Sequence, residues 1–323
     1  MIFTRRNLLK AGLGFAALPA LAREGLAQSY PTHPVRLLVG FAPGLSSDIV
    51  ARLIAGYLSD HSGQTFIVEN KPGAGTNIAA DAAVHAAPDG YTLLWVTQTN
   101  AINATLYKKL DFNFMQDIQP VSGVISVPAA LIVNPSVPAK TIPEFIAYAK
   151  ANPGKINMCS PGVGSINHAL GELFNMVAGV QLVHVPYRTN YYTDLVSGQV
   201  QCTFNPLPSA LGYIKSGQVR ALGVTSATRQ PAFPDLPAIK EFLPSYEGTA
   251  WFGLGVPKGV PGDIVSTLNR LTNEGLADPK LKERLVALGG VPLTGSPAEF
   301  DKLIHQEVDK WGKVVNFAHM QVD

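Results

Sequence analysis

The chain has 323 residues, 46% hydrophobic and 15% charged, with a formal net charge of +2 at pH 7. That length calls for two domains or one large one, and the apolar content supports packed cores and excludes disorder. The charge is carried by the N-terminus: residues 1–27 hold Arg5, Arg6, Lys10, Arg23 and Glu24, so their removal shifts +2 to −1. A chain near neutrality has no electrostatic footprint for nucleic acid or a membrane surface.

Residues 1–27 read as an export signal. A basic start with the twin arginine Arg5 and Arg6 precedes a short apolar run, Ala11 to Leu18, and small-residue sites ending at Ala22 and Ala27. The run is too short for a bilayer span, and cleavage is expected after Ala27. The arginine pair points to a Tat-like route, with Sec as the alternative. No later apolar run is long enough to be transmembrane, so a soluble periplasmic protein is expected.

The mature chain opens with alternating strand and helix signals. Val35 to Val39 is an apolar strand that runs into Gly40, Phe41, Ala42, Pro43, Gly44, Leu45 and Ser46, then a helix with Ile49, Leu53, Ile54, Tyr57 and Leu58 on one face. Phe66 to Val68 is a second strand, followed by a glycine-rich turn through Gly73 and Gly75 and an alanine-rich helix to about Ala87. Tyr91 to Val96 is a third strand, leaving through Thr97 and Gln98. Strands and helices at this spacing predict βαβ units with parallel strands.

After a strand at Leu131 to Val133, Thr141 and Glu144 form a capping box that opens a helix to Lys150. A strand over Ile156 to Cys159 then leads through Ser160, Pro161, Gly162 and Gly164 to an N-cap, Ser165, and a helix carrying Leu170, Leu173, Phe174 and Val177. Strands follow at Leu182 to Val185, Gln201 to Phe204 and Val219 to Val224. Trp251 to Val256 reads as a glycine-interrupted strand crossing back between domains, and the tail is helical, its last helix opening on the capping box of Ser296 and Glu299. Cys159 and Cys202 both fall on strands; a disulfide is permitted after export, and two buried thiols are the plainer expectation.

One internal echo stands out. Leu37 to Asp48 and Ile156 to Ser165 share a plan of strand, Pro-Gly loop, small polar cap and helix. Ligands of open α/β sheets sit beyond the C-terminal strand ends, where helix N-termini offer free N–H groups and the positive end of the dipole. Two such loops facing one another would hold a small dicarboxylate, one end in each domain.

Chemistry finds no purchase. The glycine loops lack the third glycine of a dinucleotide fingerprint and the lysine of a phosphate loop, and no Gly-x-Ser-x-Gly elbow occurs. Ser165 and His168 share a helical turn, which suits capping better than a triad. The seven histidines have no metal-site spacing. Binding without a catalytic, metal or cofactor role is the expectation; an exported hydrolase using Ser165 and His168 is the rival.

The chain resembles the Bug family of periplasmic solute-binding proteins, receptors of tripartite tricarboxylate transporters. The resemblance runs from about Tyr30 to Phe317 and rests on Tyr30 with Pro31 and Pro34, Phe41 to Gly44 with Asp48, Glu69 to Gly75, Pro88 to Leu94, Gly164–Ser165 with His168, His184 to Tyr187, Trp251 to Gly253, and Lys310 to Lys313. It implies an α/β, two-domain periplasmic binding protein of type II-like architecture. The ligand cleft would lie between two parallel-type sheets joined by two crossing segments. Domain one would comprise residues 28–128 and 250–323, domain two residues 129–249.

The resemblance also implies capture of a small carboxylate by domain closure, without cofactor, by a monomer that meets the membrane components of a transporter or, alternatively, a sensor protein. Carried over, the ligand residues are Phe41, Ala42, Pro43, Gly44, Ser46, Thr97, Gln98, Gly164, Ser165 and His168. Three departures bear on specificity. Leu45 replaces a second glycine, and Asn205 stands where aspartate is common. The loop of Tyr187, Arg188, Tyr191 and Tyr192 is short and aromatic. Tyr187, Arg188, Tyr191 and Asn205 therefore join the expected site, where the tyrosines would favour an aromatic or otherwise bulky carboxylate over aspartate-like ligands; the alternative is that they pack the outer surface.

Overall fold

The computed structural model describes residues 30–187, 190–231 and 233–322. The export signal and Arg188 lie outside the described residues. In chain order the first half consists of β1 (Val35–Val39), α1 (Ser46–Ser62), β2 (Phe66–Asn70), α2 (Asn77–Val84), β3 (Thr92–Thr97), α3 (Gln98–Leu106), α4 (Phe114–Asp117) and β4 (Ile118–Val133). The middle consists of α5 (Ile142–Ala151), β5 (Ile156–Ser160), α6 (Ile166–Ala178), β6 (Leu182–Pro186), α7 (Tyr192–Ser197), β7 (Cys202–Pro206), α8 (Leu207–Lys215) and β8 (Arg220–Val224). The chain closes with β9 (Thr249–Pro257), α9 (Gly262–Ala277), α10 (Pro279–Ala287), β10 (Val291–Pro292) and α11 (Pro297–Phe317).

Strand order is β2-β1-β3-β9-β4 on one side and β4-β7-β5-β6 on the other, with β8 and β10 also pairing β4. The architecture is thus two α/β lobes sharing one strand. Residues 118–128 of β4 pair β9, and residues 129–133 pair β7 and β8, so a single 16-residue strand runs through both sheets. The outer strands are parallel, β1 with β2 and β3, and β5 with β6 and β7. β9 runs antiparallel to β3 and β4, because it is the return segment of the crossing pair. Strand order reverses direction in sequence beside β1 in one lobe and beside β5 in the other, and such switch points open a crevice at the strand C-termini.

Local chemistry fixes the helix starts. Thr141 and Ser296 accept the backbone N–H groups of Glu144 and Glu299, each at 3.3 Å, while the glutamates reach back to Lys140 and Ser296 N–H. α11 is locked from inside by Glu307, whose Oε2 accepts the indole N–H groups of Trp251 (3.0 Å) and Trp311 (2.7 Å). Both indoles are buried, so this carboxylate ties the last helix to the return strand.

The cysteines cannot pair in this arrangement. Met158 and Cys202 are register partners on neighbouring strands, and both belong to the core on one face. Cys159, one residue on, points to the opposite face among Tyr191, Tyr192 and Leu195. Both are buried free thiols, and burial pushes the Cys159 thiol up to about 12.

Candidate ligand-binding site

A cavity of about 890 Å³ lies where the two lobes meet. Nearly every parallel strand delivers its exit to it. Gly40 to Leu45 follow β1, Pro72 to Thr76 follow β2, and Thr99 follows β3; Pro161 to Val163 and Ser165 follow β5, Tyr187 and Asn190 follow β6, and Ser209 follows β7. The cavity therefore occupies both switch points at once.

The first loop is held rigidly. Asp48 Oδ2 accepts the Gly44 N–H at 2.9 Å, and Asn70 Nδ2 donates to the Phe41 carbonyl and to Asp48 Oδ1, both at 2.9 Å. Burial raises the Asp48 carboxyl, but Arg52, the Gly44 N–H and Asn70 outweigh it and hold it below the usual range. Gly40 is required by close approach: a Cβ there would lie 2.5 Å from Thr76 Cβ, so the β1 and β2 loops pack backbone against side chain. Phe41, Ala42, Pro43 and Gly44 all line the cavity.

Ser46 does something else. Its Oγ lies 2.9 Å from Ser209 Oγ, a direct contact between the first turns of α1 and α8 across the lobes. The helix start facing α1 is thus α8. The second Pro-Gly loop meets α3 instead, with Gly164 packed against Leu106 and Asn103.

In the first turns of α1, α2 and α3, three side-chain donors are buried without a protein partner: Ser47 Oγ, Asn77 Nδ2 and Thr99 Oγ1. Thr99 lines the cavity directly. An unsatisfied buried donor costs about 1–3 kcal/mol. Helix N-termini favour negative charge by about 0.3–1 kcal/mol each, more when partly buried. Of the three, only Thr99 is at the cavity wall, so the start of α3 is the place where the helix dipole and an unpartnered donor meet the ligand space.

Other expected residues stand behind the wall. Thr97 N–H donates to Asn100 Oδ1 at 2.9 Å, and Gln98 Oε1 accepts the Trp251 N–H at 2.8 Å, which turns both inward; Thr99 is the residue of that strand exit that reaches the cavity. Ser165 lines the cavity, but its hydroxyl donates to the Gly162 carbonyl at 2.7 Å and caps the His168 N–H. His168 is buried, stacked on His184 at 3.6 Å, with Nδ1 accepting the Gly164 N–H at 3.3 Å. Burial and the neighbouring His168 hold His184 down at about 3, so the stack carries a neutral ring there.

Of the aromatic loop, Tyr187 and Tyr192 line the cavity, whereas Tyr191 is buried beneath them. Asn205 is buried and fully engaged. Its Oδ1 accepts Asn167 Nδ2 at 2.8 Å and the Tyr191 hydroxyl, and its Nδ2 contacts Tyr192 Oη at 2.6 Å and Ser209 Oγ at 2.8 Å. It positions the tyrosines and Ser209 and does not itself face the ligand space. Tyr107, Ser209 and Tyr213 line the cavity as well. Of these, Ser209 had a sequence signal, the Pro206 and Pro208 pair that opens α8.

Two α/β lobes sharing a crossing strand, with a cleft at both switch points, define a cleft-binding protein of the periplasmic receptor class. The chain belongs to the tripartite tricarboxylate transporter receptor (TctC) family, whose model matches residues 50–319. It is 34% identical over 306 residues to Protein BugT of Bordetella pertussis, covering 93% of this chain and 94% of that one. Among solved structures it is similar to R. palustris Rpa4515 with adipate, at 34% identity and a TM-score of 0.87 over 90% of this chain and 99% of that one. It is also similar to MatC from Rhodopseudomonas palustris with bound malate, at 31% identity and 0.82 over 88% and 100%. The family is one of solute receptors, not of enzymes.

Proposed function

We propose that this protein is exported to the periplasm by residues 1–27 and captures a small carboxylate between lobes formed by residues 28–128 with 250–323 and by residues 129–249. The observation that carries the reading is the interlobe cavity itself, lined by the Gly40–Leu45 loop that opens α1 and by Thr99 in the first turn of α3, whose hydroxyl is unpartnered. The adipate- and malate-bound relatives support the same ligand chemistry. Contacts from both lobes would favour the closed state, since only differential affinity shifts such an equilibrium. The closed form would then be presented to the membrane components of a tripartite transporter, and the protein itself would carry out no reaction on its ligand.

Thermal shift and small-angle scattering on the purified mature chain test this together. A bound carboxylate should raise the melting temperature and shrink the radius of gyration. A carboxylate panel that moves neither quantity would remove the proposal.

A further inference from the structure

The second-lobe wall of the cavity is a stack of tyrosines. Tyr191 lies on Tyr192 with ring centroids 5.0 Å apart and 23° between planes, and Tyr192 lies on Tyr213 at 4.1 Å and 5°. Tyr192 is covered on both faces, whereas Tyr213 has one ring neighbour among the described residues, is half-buried, and lines the cavity. Two hydroxyls of this wall are already used. The Tyr187 hydroxyl donates to Asp194 at 2.6 Å, and Tyr192 Oη is bonded to Asn205. Beside these, the wall offers a ligand the ring of Tyr213.

Charge narrows the choice further. Among the described residues no acidic side chain lines the cavity. The carboxylates bonded to lining residues are committed, Asp48 to Gly44, Asn70 and Arg52, and Asp194 to Tyr187. The carboxamide of Asn205 is saturated, so it offers no acceptor either. An ammonium carried into this cleft would lose its hydration and gain no counter-charge. The cavity of about 890 Å³ is large enough for a ligand that carries a ring.

Building on the carboxylate-receptor reading, we infer that the ligand is an aromatic carboxylate without an amino group. Its ring extends the tyrosine stack on the face of Tyr213, and its carboxylate lies at Thr99, at the start of α3. Titration calorimetry of the mature chain with 3-phenylpropanoate, L-phenylalanine and adipate tests it, because the first two differ only by an ammonium. The expected order is 3-phenylpropanoate tightest, with phenylalanine at least tenfold weaker. Tyr213→Ala should weaken 3-phenylpropanoate about two- to tenfold, the range for an aromatic pair, and leave adipate within twofold. Tyr213→Phe should bind as the parent does, which keeps the test valid if the alanine variant misfolds. Adipate binding as tightly as 3-phenylpropanoate, phenylalanine matching it, or equal losses for both ligands in Tyr213→Ala would overturn the inference while leaving the receptor reading intact. Failure of all three compounds to bind would overturn both.

Discussion

Gly164→Ala separates the closed state from the fold. Gly164 has φ +79°, and a Cβ there would sit 2.4 Å from Leu106 Cδ2 and 3.2 Å from Asn103 Oδ1. The backbone cost of a left-handed alanine, about 1–2 kcal/mol, applies whether or not the lobes meet. The melting temperature of the unliganded protein should fall by roughly 2–8 °C, at ~2–4 °C per kcal/mol for a chain of this size. The clash is different: Leu106 ends α3 of one lobe and Gly164 precedes α6 of the other, so the proposed opening of the lobes would relieve it. Overpacking of this kind costs about 1–3 kcal/mol. Leu106 Cδ2 is the end of a movable side chain, so the lower half applies and affinity should drop about tenfold. Calorimetry of a bound carboxylate and melting of the unliganded protein give both numbers from one preparation. A lower melting temperature with affinity within twofold of the parent would refute the claim that the Gly164–Leu106 contact belongs to the ligand-holding state.

Three further outcomes follow from particular contacts. The Asp48 carboxyl lies below its ordinary range in the fold, so its contribution is complete above the unfolded value near ~4 and is lost as pH falls through the folded value. The melting-temperature gap between the parent and Asp48→Asn should accordingly narrow below about pH 4; a constant gap from pH 7 to 3 would contradict this. Glu307→Ala strands two buried indole N–H groups and should cost about 2–4 kcal/mol, read as a lower urea midpoint with an unchanged slope. Cys159 and Cys202 occupy opposite faces of their sheet, so oxidised protein should show two titratable thiols on denaturation, and none would indicate a disulfide.

The parts of this molecule that were legible in the sequence are those where short-range chemistry decides. The Thr141–Glu144 and Ser296–Glu299 boxes, the Ser165 cap and the strand-to-helix loops at Gly44 and Gly162 all depend on neighbours within a few residues. β4 did not reveal its length, because Pro120, Gly123 and Pro128 read as breaks; the strand absorbs two of these near register shifts at 120/122 and 123/125. In the site, the sequence singled out the loops but not which side chain of each faces the ligand. Thr97, Gln98 and Thr99 look equivalent until Trp251 claims the Gln98 carbonyl from β9, 153 positions away. Tyr213 and Tyr107 carry no motif and come to the cavity only through helix packing. The aromatic loop suggested bulk, but its order in space, with Tyr191 buried beneath Tyr192, is set by Asn205 and Asn167.

The interlobe cavity is proposed to hold a carboxylate at Thr99, in the first turn of α3. Native mass spectrometry of the protein purified from its periplasm without added ligand, followed by denaturation and identification of what is released, tests it most directly. The account predicts one small molecule per chain, bearing a carboxylate and lost from a Thr99→Val variant that still folds. Release of a ligand with no carboxylate, or retention of the same ligand by the Thr99→Val protein at full occupancy, would contradict it.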